Sequence, residues 1–268
     1  MKKRILNLLL LIPIIVLLIG CKKNIVDCSY VYDDSKYGIG NISFEQQVEK
    51  ISVDWLVGNI IIKPQDSNEL IIREEKDTTL NDDYKFRYLL ENNQVDVKFT
   101  KSFEELNYNF RIKNLYLFLP TTVKELSITS HNSTIKCDGV TLDKLIINGE
   151  KSSINIDSSN IQCLNISSKK EDIIIFNDKL KEVRIETESS NIGILVNPEL
   201  TSLDIKTKAG NVSFYVSNNF DCNVYFKSDG AFKSKLNFKQ DNDNYIFNQG
   251  TNSYSITSET GNLSIFEK

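Results

Sequence analysis

The chain has 268 residues, 40% of them hydrophobic and 25% charged, and its formal net charge is −4 at pH 7. This length is enough for a substantial core in one domain or in one elongated array. The acidic balance argues against nucleic acid as a main partner, and also against electrostatic binding to an anionic membrane face.

The first 20 residues have the organisation of a signal peptide. Three basic residues at positions 2–4 precede an apolar run over residues 5–19. The sequence Leu18-Ile19-Gly20-Cys21 then resembles the lipobox of bacterial lipoproteins. This resemblance implies that Cys21 receives a diacylglycerol and becomes the first residue of the mature protein. The alternative is an uncleaved signal anchor, but the apolar run is shorter than the ~20 residues that a membrane-spanning helix needs.

The lipobox resemblance also implies where the protein resides. Two acyl chains on one residue are sufficient for stable attachment, so we expect an exported protein whose only membrane contact is the lipid on Cys21. This places it on the outer face of the membrane in a one-membrane cell, with the outer membrane as an alternative in a two-membrane cell. Residues 21–41 are predicted to form a lipidated tether. Removal of residues 1–20 leaves 29 basic against 36 acidic side chains, a formal charge of −7.

Between Val123 and Phe214 the chain repeats one apolar pattern five times. Each unit has one apolar residue followed by two apolar pairs, and the pairs lie nine residues apart. The first unit reads Val123, Leu126-x-Ile128 and Ile135-x-Cys137. The steps from each unit to the next are 19, 19, 19 and 20 residues. Alternation with a period of two is typical of β-strands, and a fixed repeat near 20 residues is typical of a solenoid.

The repeat predicts an all-β fold. We expect a single-domain parallel β-solenoid over residues 42–268, with about 19–20 residues and two main strands per coil. No stretch of the mature chain shows the sustained 3.6-residue period of an amphipathic helix. Each coil can bury its apolar columns only against neighbouring coils, so the array is stable only as a stack.

The pattern extends towards the amino terminus. It is present as Ile51-x-Val53 and Ile60-x-Ile62, and Leu70-x-Ile72 follows one 19-residue step after the first of these pairs. We therefore expect Leu70 and Ile72 to continue the array. Residues 73–114 are interpreted as an interruption that lengthens one sheet or forms a hairpin.

The pattern also returns near the carboxyl terminus. Residues 228–268 are predicted to be an irregular coil and a C-terminal cap, in which Tyr254-x-Ile256 and Leu263-x-Ile265 recover the register. Gly-Asn pairs at 58–59, 210–211 and 261–262 precede the same apolar column of three different coils. We expect these glycines to adopt positive φ at tight corners, because glycine has no Cβ to oppose that conformation.

The residues at this point resemble a known family. The Gly-Asn-Ile-x-Ile segment at 58–62, the Phe118-Leu119-Pro120 junction and the repeated Leu-x-Ile…Ile-x-Ile pairs are similar to the bacterial putative-adhesin, or toast-rack, β-repeat domains. The resemblance covers roughly residues 42–268. It implies a domain of unknown function that is often membrane-attached and is associated in some contexts with adhesion or envelope stress. It supplies no catalytic residues.

Reactive side chains are few in the predicted mature chain. The single histidine, His131, lies in a predicted turn beside Ser and Asn rather than beside metal ligands, so we interpret it as a solvated residue. Cys137 and Cys222 are predicted to face inward and Cys163 outward. No pair of these thiols is clearly opposed, and no disulfide is assigned.

Trp55 is the one residue that the sequence offers as a weak candidate for binding. With Leu56 and Val57 it forms an apolar turn beside the first repeat. One interpretation is a packed contact with a cap or with the 73–114 segment. The other is an exposed anchor for a partner, since exposed aromatic residues favour interfaces.

The sequence contains none of the motifs of common catalytic sites. A nucleophile elbow, a phosphate loop, a dinucleotide fingerprint and a Cys-x-x-Cys pair are all absent. We predict a non-enzymatic protein without metal or cofactor, whose surface binds an envelope protein or a glycan as an adhesin-like protein or a scaffold. One alternative is an accessory sensor of envelope stress, which rests on the family resemblance alone. A carbohydrate-active β-helix enzyme is less favoured, because the outward strand positions carry no carboxylate cluster.

Overall fold

A computed structural model describes residues 30–75, 80–103, 112–176, 179–217 and 219–268. The predicted signal peptide and Cys21 lie outside these residues. The chain divides into two compact units. The described part of the first unit is residues 30–34 and 102–103, where Tyr30 and Phe103 form an isolated antiparallel bridge. The second unit, residues 35–101 and 112–268, contains all of the named strands.

The described residues of the second unit form 22 strands. The first seven are β1 (Gly38–Ile39), β2 (Ile42–Phe44), β3 (Lys50–Pro64), β4 (Leu70–Glu74), β5 (Arg87–Glu91), β6 (Gln94–Lys98) and β7 (Leu115–Leu119). The next nine are β8 (Glu125–Asp138), β9 (Thr141–Lys151), β10 (Ser153–Asp157), β11 (Asn160–Lys170), β12 (Ile173–Phe176), β13 (Glu182–Thr187), β14 (Ile192–Val196), β15 (Ser202–Thr207) and β16 (Val212–Val216). The last six are β17 (Cys222–Lys227), β18 (Phe232–Ser234), β19 (Lys239–Asp241), β20 (Asn244–Phe247), β21 (Asn252–Ser258) and β22 (Leu263–Glu267).

Within the described ranges the chain contains no helix. None of the segments described is therefore a helix with the length and hydropathy needed to cross a membrane.

Parallel strands stack into two ladders that share the long strands β3 and β8. The first ladder runs in space through β6, β3, β8, β9, β11, β13, β15, β21 and β17. The second ladder runs through β7, β3, β8, β10, β12, β14, β16, β22 and β18. Each coil gives one strand, or one half of a long strand, to each ladder. The predicted all-β parallel fold with two main strands per coil is confirmed.

The core consists of the apolar columns that the repeat predicts. Equivalent residues of successive coils are paired in register, as in the Leu126–Leu145 and Ile128–Ile147 pairs of the first ladder, and all four are buried. Burial of such a side chain stabilises the fold by roughly 1.5–3 kcal/mol. Cys137 pairs with Ile156 in the second ladder and is buried, as expected from its column.

A column of small polar residues lies between the two ladders. Because buried polar groups must be paired, their hydrogen bonds determine whether this corner is stable. Ser130 and Ser152 share a bond of 2.8 Å between their hydroxyls. Thr187 and Ser190 share one of 2.7 Å. Thr207 Oγ1 donates to the backbone carbonyl of Ala209 at 2.7 Å. These hydroxyl groups are therefore satisfied within the corner, whereas the buried Oγ of Ser133 has no hydrogen-bond partner among the described residues.

The corner glycines follow the prediction at two of three positions. Gly58 and Gly210 have φ of 114° and 118°. At Gly210 an added Cβ would also lie 2.1 Å from the backbone oxygen of Ser190. The prediction of positive φ is wrong for Gly261, which is not among the glycines in that conformation. Glycine is required there by space instead, since its Cβ would lie 1.9 Å from the backbone oxygen of Gly210 in the next coil.

Spatial order departs from chain order at the amino-terminal end. Strand β6 pairs with β3, so that Val95 and Val97 extend the columns of Ile51 and Val53. The 73–114 segment thus supplies a ladder strand in register. The expectation that Leu70 and Ile72 continue the array is wrong, because β4 runs antiparallel and pairs with β7.

The carboxyl-terminal end shows the same rearrangement. Strand β21, which is late in the chain, lies between β15 and β17, and β22 lies between β16 and β18. Residues 252–267 therefore form an internal coil. The outer position belongs to the earlier β17, which β20 covers with antiparallel pairing.

Candidate functional site

Trp55 is fully buried and presents no surface to a partner. Its Nε1 donates a hydrogen bond to the backbone carbonyl of Lys113 at 3.2 Å. Its ring meets Phe99 edge-on, with ring centroids 4.9 Å apart. The hypothesis of an exposed anchor is therefore wrong, and the packed contact with the 73–114 segment is the arrangement that forms.

A buried ion pair lies beside Trp55. Lys113 Nζ is 2.8 Å from Glu74 Oε1, and both side chains are almost completely inaccessible. The ammonium also donates to the backbone carbonyls of Tyr84, at 2.7 Å, and of Phe99. Glu74 Oε2 accepts a hydrogen bond from the amide of Phe86 at 3.1 Å. Buried charges are tolerated only when paired in this way, so the cluster holds the inserted segment to the first coil and leaves no opening for a ligand.

His131 belongs to a column of surface charges on the outer corner. Its Nδ1 lies 3.3 Å from Glu150 Oε2, and Glu150 Oε1 lies 2.7 Å from Lys169 Nζ. Hydrogen bonds from Lys169 and His131 lower the pKa of the Glu150 carboxyl. The side chains are about half exposed, and pairs of that kind add little stability. Among the described residues no group of three or more His, Cys, Asp or Glu side chains is placed to hold a metal ion.

The three described cysteines are free thiols. Cys137 and Cys222 are buried, as predicted, and Cys163 is half-buried on the outer side of the first ladder. Burial raises the pKa of Cys137 to about 12 and that of Cys222 also well above its usual range. A thiolate is the nucleophilic form of cysteine, so neither buried thiol is poised for covalent chemistry.

The outer face of the second ladder carries exposed apolar side chains. We define the aromatic strip as Phe176, Leu195, Tyr215 and Phe266, which occupy equivalent outward positions on four neighbouring strands. Phe176 and Phe266 are 38% and 47% exposed, and Ile174 beside them is 39% exposed. Soluble proteins seldom expose several large apolar side chains together unless the patch binds something.

The strip is ordered by ring contacts between its members. Tyr215 and Phe266 stack with centroids 5.6 Å apart and an interplanar angle of 25°. Phe176 and Tyr215 are 5.5 Å apart and tilted by 46°. Leu195 is buried beneath them, and Gly193 leaves room for the Tyr215 ring, which lies 3.8 Å from where a Cβ would stand. The rings therefore form a continuous apolar surface with a filled floor.

A groove of ≈ 550 Å³ lies at the carboxyl-terminal end of the strip. We call it the lysine groove, because Lys233 and Lys235 line it together with Phe266, Ser264 and Glu267. Lys233 is the ladder partner of Ser264. Both lysines are exposed. Aromatic, hydroxyl and charged groups thus meet at one end of an otherwise regular surface.

Sequence reasoning missed the strip because it examined the outward positions only for a carboxylate cluster. The available signal was a change within one column of the repeat. That position is Asp138 and Asp157 in the first two coils and becomes Phe176, Leu195 and then Tyr215. The replacement of acidic by large apolar residues in successive repeats indicates that this outward column carries an apolar surface.

The chain was compared with protein families, solved structures and curated proteins, and the family match agrees with this architecture. The family model described as Toastrack DUF4097 matches residues 52–266. A solved structure titled a putative cell adhesion protein, from Clostridium sporogenes, is 11% identical with a TM-score of 0.37, and the match covers 86% of this chain and all of that one. A second, titled a putative adhesin, from Bacteroides fragilis, is 16% identical with a TM-score of 0.45, covering 88% and 99%. No curated protein sequence matches the chain.

Proposed function

Because the chain belongs to the Toastrack DUF4097 family, we propose that it is a non-enzymatic, lipid-anchored protein of the cell envelope that binds ligands through its β-solenoid surface. The proposed role is that of an adhesin-like binding protein. The ligand is an envelope or cell-surface macromolecule. The observation that carries this proposal is the aromatic strip on the second ladder.

The aromatic strip has the properties of a binding surface rather than those of the buried core. Removal of exposed apolar area from water provides about 25 cal/mol per Å², and that gain is still available here because the ring faces remain in contact with solvent. Phenylalanine and tyrosine lose little side-chain entropy on binding, because each has only two rotatable side-chain angles. The parallel ladder fixes their spacing, so the surface is rigid before any ligand arrives.

The proposed attachment is supported by the first residues of the chain. Leu18-Ile19-Gly20-Cys21 has the form of a lipobox, and acylation of Cys21 would hold the solenoid outside the membrane. The residues between Cys21 and the first strand would serve as a tether. An anchored, extended surface of this kind suits the capture of a ligand that is itself fixed to a surface.

A matched pair of single substitutions tests the proposal. Phe266→Ser removes the most exposed ring of the strip, whereas Tyr225→Ser removes a ring on the first ladder that is similarly exposed, at 37% against 47%. Cells that display the full-length chain are measured for adhesion to surfaces coated with extracellular glycans and proteins. We expect Phe266→Ser to lower adhesion about tenfold or more and Tyr225→Ser to leave it near the unsubstituted value. Equal adhesion by both variants, at equal display and with unchanged circular dichroism, would refute the role of the strip.

A further inference from the structure

Resting on the binding function proposed above, we infer that the ligand is an acidic glycan. In this arrangement sugar rings lie along the aromatic strip, and carboxylate groups of the glycan pair with Lys233 and Lys235 in the lysine groove. The proposal specifies the chemical class of the ligand and the direction in which it lies on the protein.

The register places the two lysines at the end of the strip. Lys233 pairs with Ser264 between β18 and β22, so it continues the outward column that contains Ser213 and Ser264. Lys235 lies two residues further along and lines the same groove as Phe266. From β12, which carries Phe176, to β18 there are four strand spacings of ~4.8 Å, or roughly 19 Å. That length accommodates several sugar rings in a row.

The size of the strip favours a glycan over a folded protein. Aromatic side chains offer about 150–250 Å² each, so with exposures of 38% and 47% the two most exposed rings of the strip present roughly 130–210 Å² to solvent. A stable protein interface usually buries about 800 Å² on each partner. The strip is a single side chain wide over most of its length, because the adjacent column has the exposed Ile174 at its β12 end and then Gly193, Ser213 and Ser264. A narrow apolar track beside hydroxyl groups suits a sugar chain, whose ring faces present C–H bonds and whose edges present hydroxyls.

The charge of the groove selects an acidic ligand. The chain as a whole is acidic, with a net charge of −4. Lys233 and Lys235 nevertheless lie together, and within the described part of the chain neither forms an ion pair with an acidic side chain. Glu267 also lines the groove and leaves it with one net positive charge. We assign Glu267 the role of accepting hydrogen bonds from sugar hydroxyls, and the two lysines that of pairing with carboxylates.

The test measures the full-length lipoprotein, purified in detergent, against paired polysaccharides. The probes are polygalacturonate and alginate, each compared with its carboxyl-reduced, neutral form, at low and high salt. We expect the acidic form to bind about tenfold more tightly than the neutral form. High salt should weaken the binding of the acidic form only, because exposed charges are screened by ions. The Lys233→Gln/Lys235→Gln variant should lose about three- to tenfold in affinity for the acidic form, in line with two exposed ion pairs, and should bind the neutral form as before.

The control for charge is Lys206→Gln/Lys227→Gln, which removes two exposed lysines from the first ladder. It should leave both affinities unchanged. A loss as large as that of the groove variant would refute the assignment to Lys233 and Lys235.

The remaining outcomes separate this inference from the function on which it rests. Equal affinity for the acidic and neutral forms, still reduced by Phe266→Ser, would refute the acidic class and leave binding by the strip intact. The acidic-glycan inference would also be refuted, with binding by the strip intact, if the protein bound no polysaccharide but bound a protein ligand whose affinity Phe266→Ser reduces. If Phe266→Ser changes binding to no glycan or protein, both proposals fail.

Discussion

A designed disulfide tests the most unexpected feature of the fold, the position of the late strand β21 between β15 and β17. In the first ladder Ser253 pairs with Ser202 on one side and with Asn223 on the other. Had the coils followed chain order, Ser202 and Asn223 would be the neighbours. Ser202→Cys/Ser253→Cys should therefore form a disulfide, and Ser202→Cys/Asn223→Cys should not.

The distances between strands determine this expectation. Adjacent strands lie ~4.8 Å apart, within the range of a disulfide, whereas two spacings amount to about 10 Å and exceed the ~7 Å limit between Cα atoms. A bond from residue 202 to residue 253 closes a loop of about 50 residues, which corresponds to roughly 4 kcal/mol of stabilisation in the chain-entropy model. For a domain of this size the melting temperature should rise by about 10 °C.

The assay is a gel shift under non-reducing conditions, followed by thermal unfolding with and without reductant. Cys163 occupies the same outward column two strands from Ser202, so it is first replaced by serine. Single-cysteine variants serve as controls for other pairings. Efficient bonding between positions 202 and 223, with none between 202 and 253, would contradict the observed order of the coils.

Four further predictions address the anchor, the core, the corner and the thiols. Cys21→Ser should leave a longer precursor that incorporates no labelled fatty acid, and normal processing of this variant would contradict the lipid anchor. Ile166 is 3% exposed, so Ile166→Asp places an unpaired charge in a buried column and should lower the free energy of unfolding by more than about 4 kcal/mol. A folded variant with an unchanged denaturant midpoint would refute the column assignment. Gly210→Ala should cost at least about 1–3 kcal/mol in urea unfolding, because its φ is 118° and because the added Cβ would lie 2.1 Å from the backbone oxygen of Ser190. At pH 8 the native protein should react with a thiol reagent at Cys163 but not at Cys137, whose pKa burial raises to about 12; rapid labelling of Cys137, read by mass spectrometry, would contradict its burial.

The core could be predicted from sequence because alternation is a local property. Leu126 and Ile128 must share one face of their strand, whatever the rest of the chain does. The 19-residue step then brings Leu145 and Ile147 to the same columns. The burial of Cys137 followed from the same reasoning, since its column contains isoleucine in the next coils.

Trp55 shows where such reasoning fails. The alternation around it indicates an apolar turn, but burial of the ring depends on Lys113 and Phe99, which are 58 and 44 residues away in the chain. The aromatic strip is a similar case. Phe176 and Tyr215 are 39 residues apart in the chain, which is two full coils, and only the stacking of the ladder brings their rings into contact.

The sequence by itself determined the strand character, the inward columns and the number of strands per coil, because these follow from the spacing of apolar residues. Tertiary structure alone decided which coil lies beside which. The columns of different coils are made mostly of leucine, isoleucine and valine residues, so each coil is an acceptable neighbour for several others. Fit at the corners discriminates between them, as where Gly261 leaves room for the carbonyl of Gly210. Outward residues are not constrained by burial, so the surface that they form together can be recognised only once the order of the coils is known.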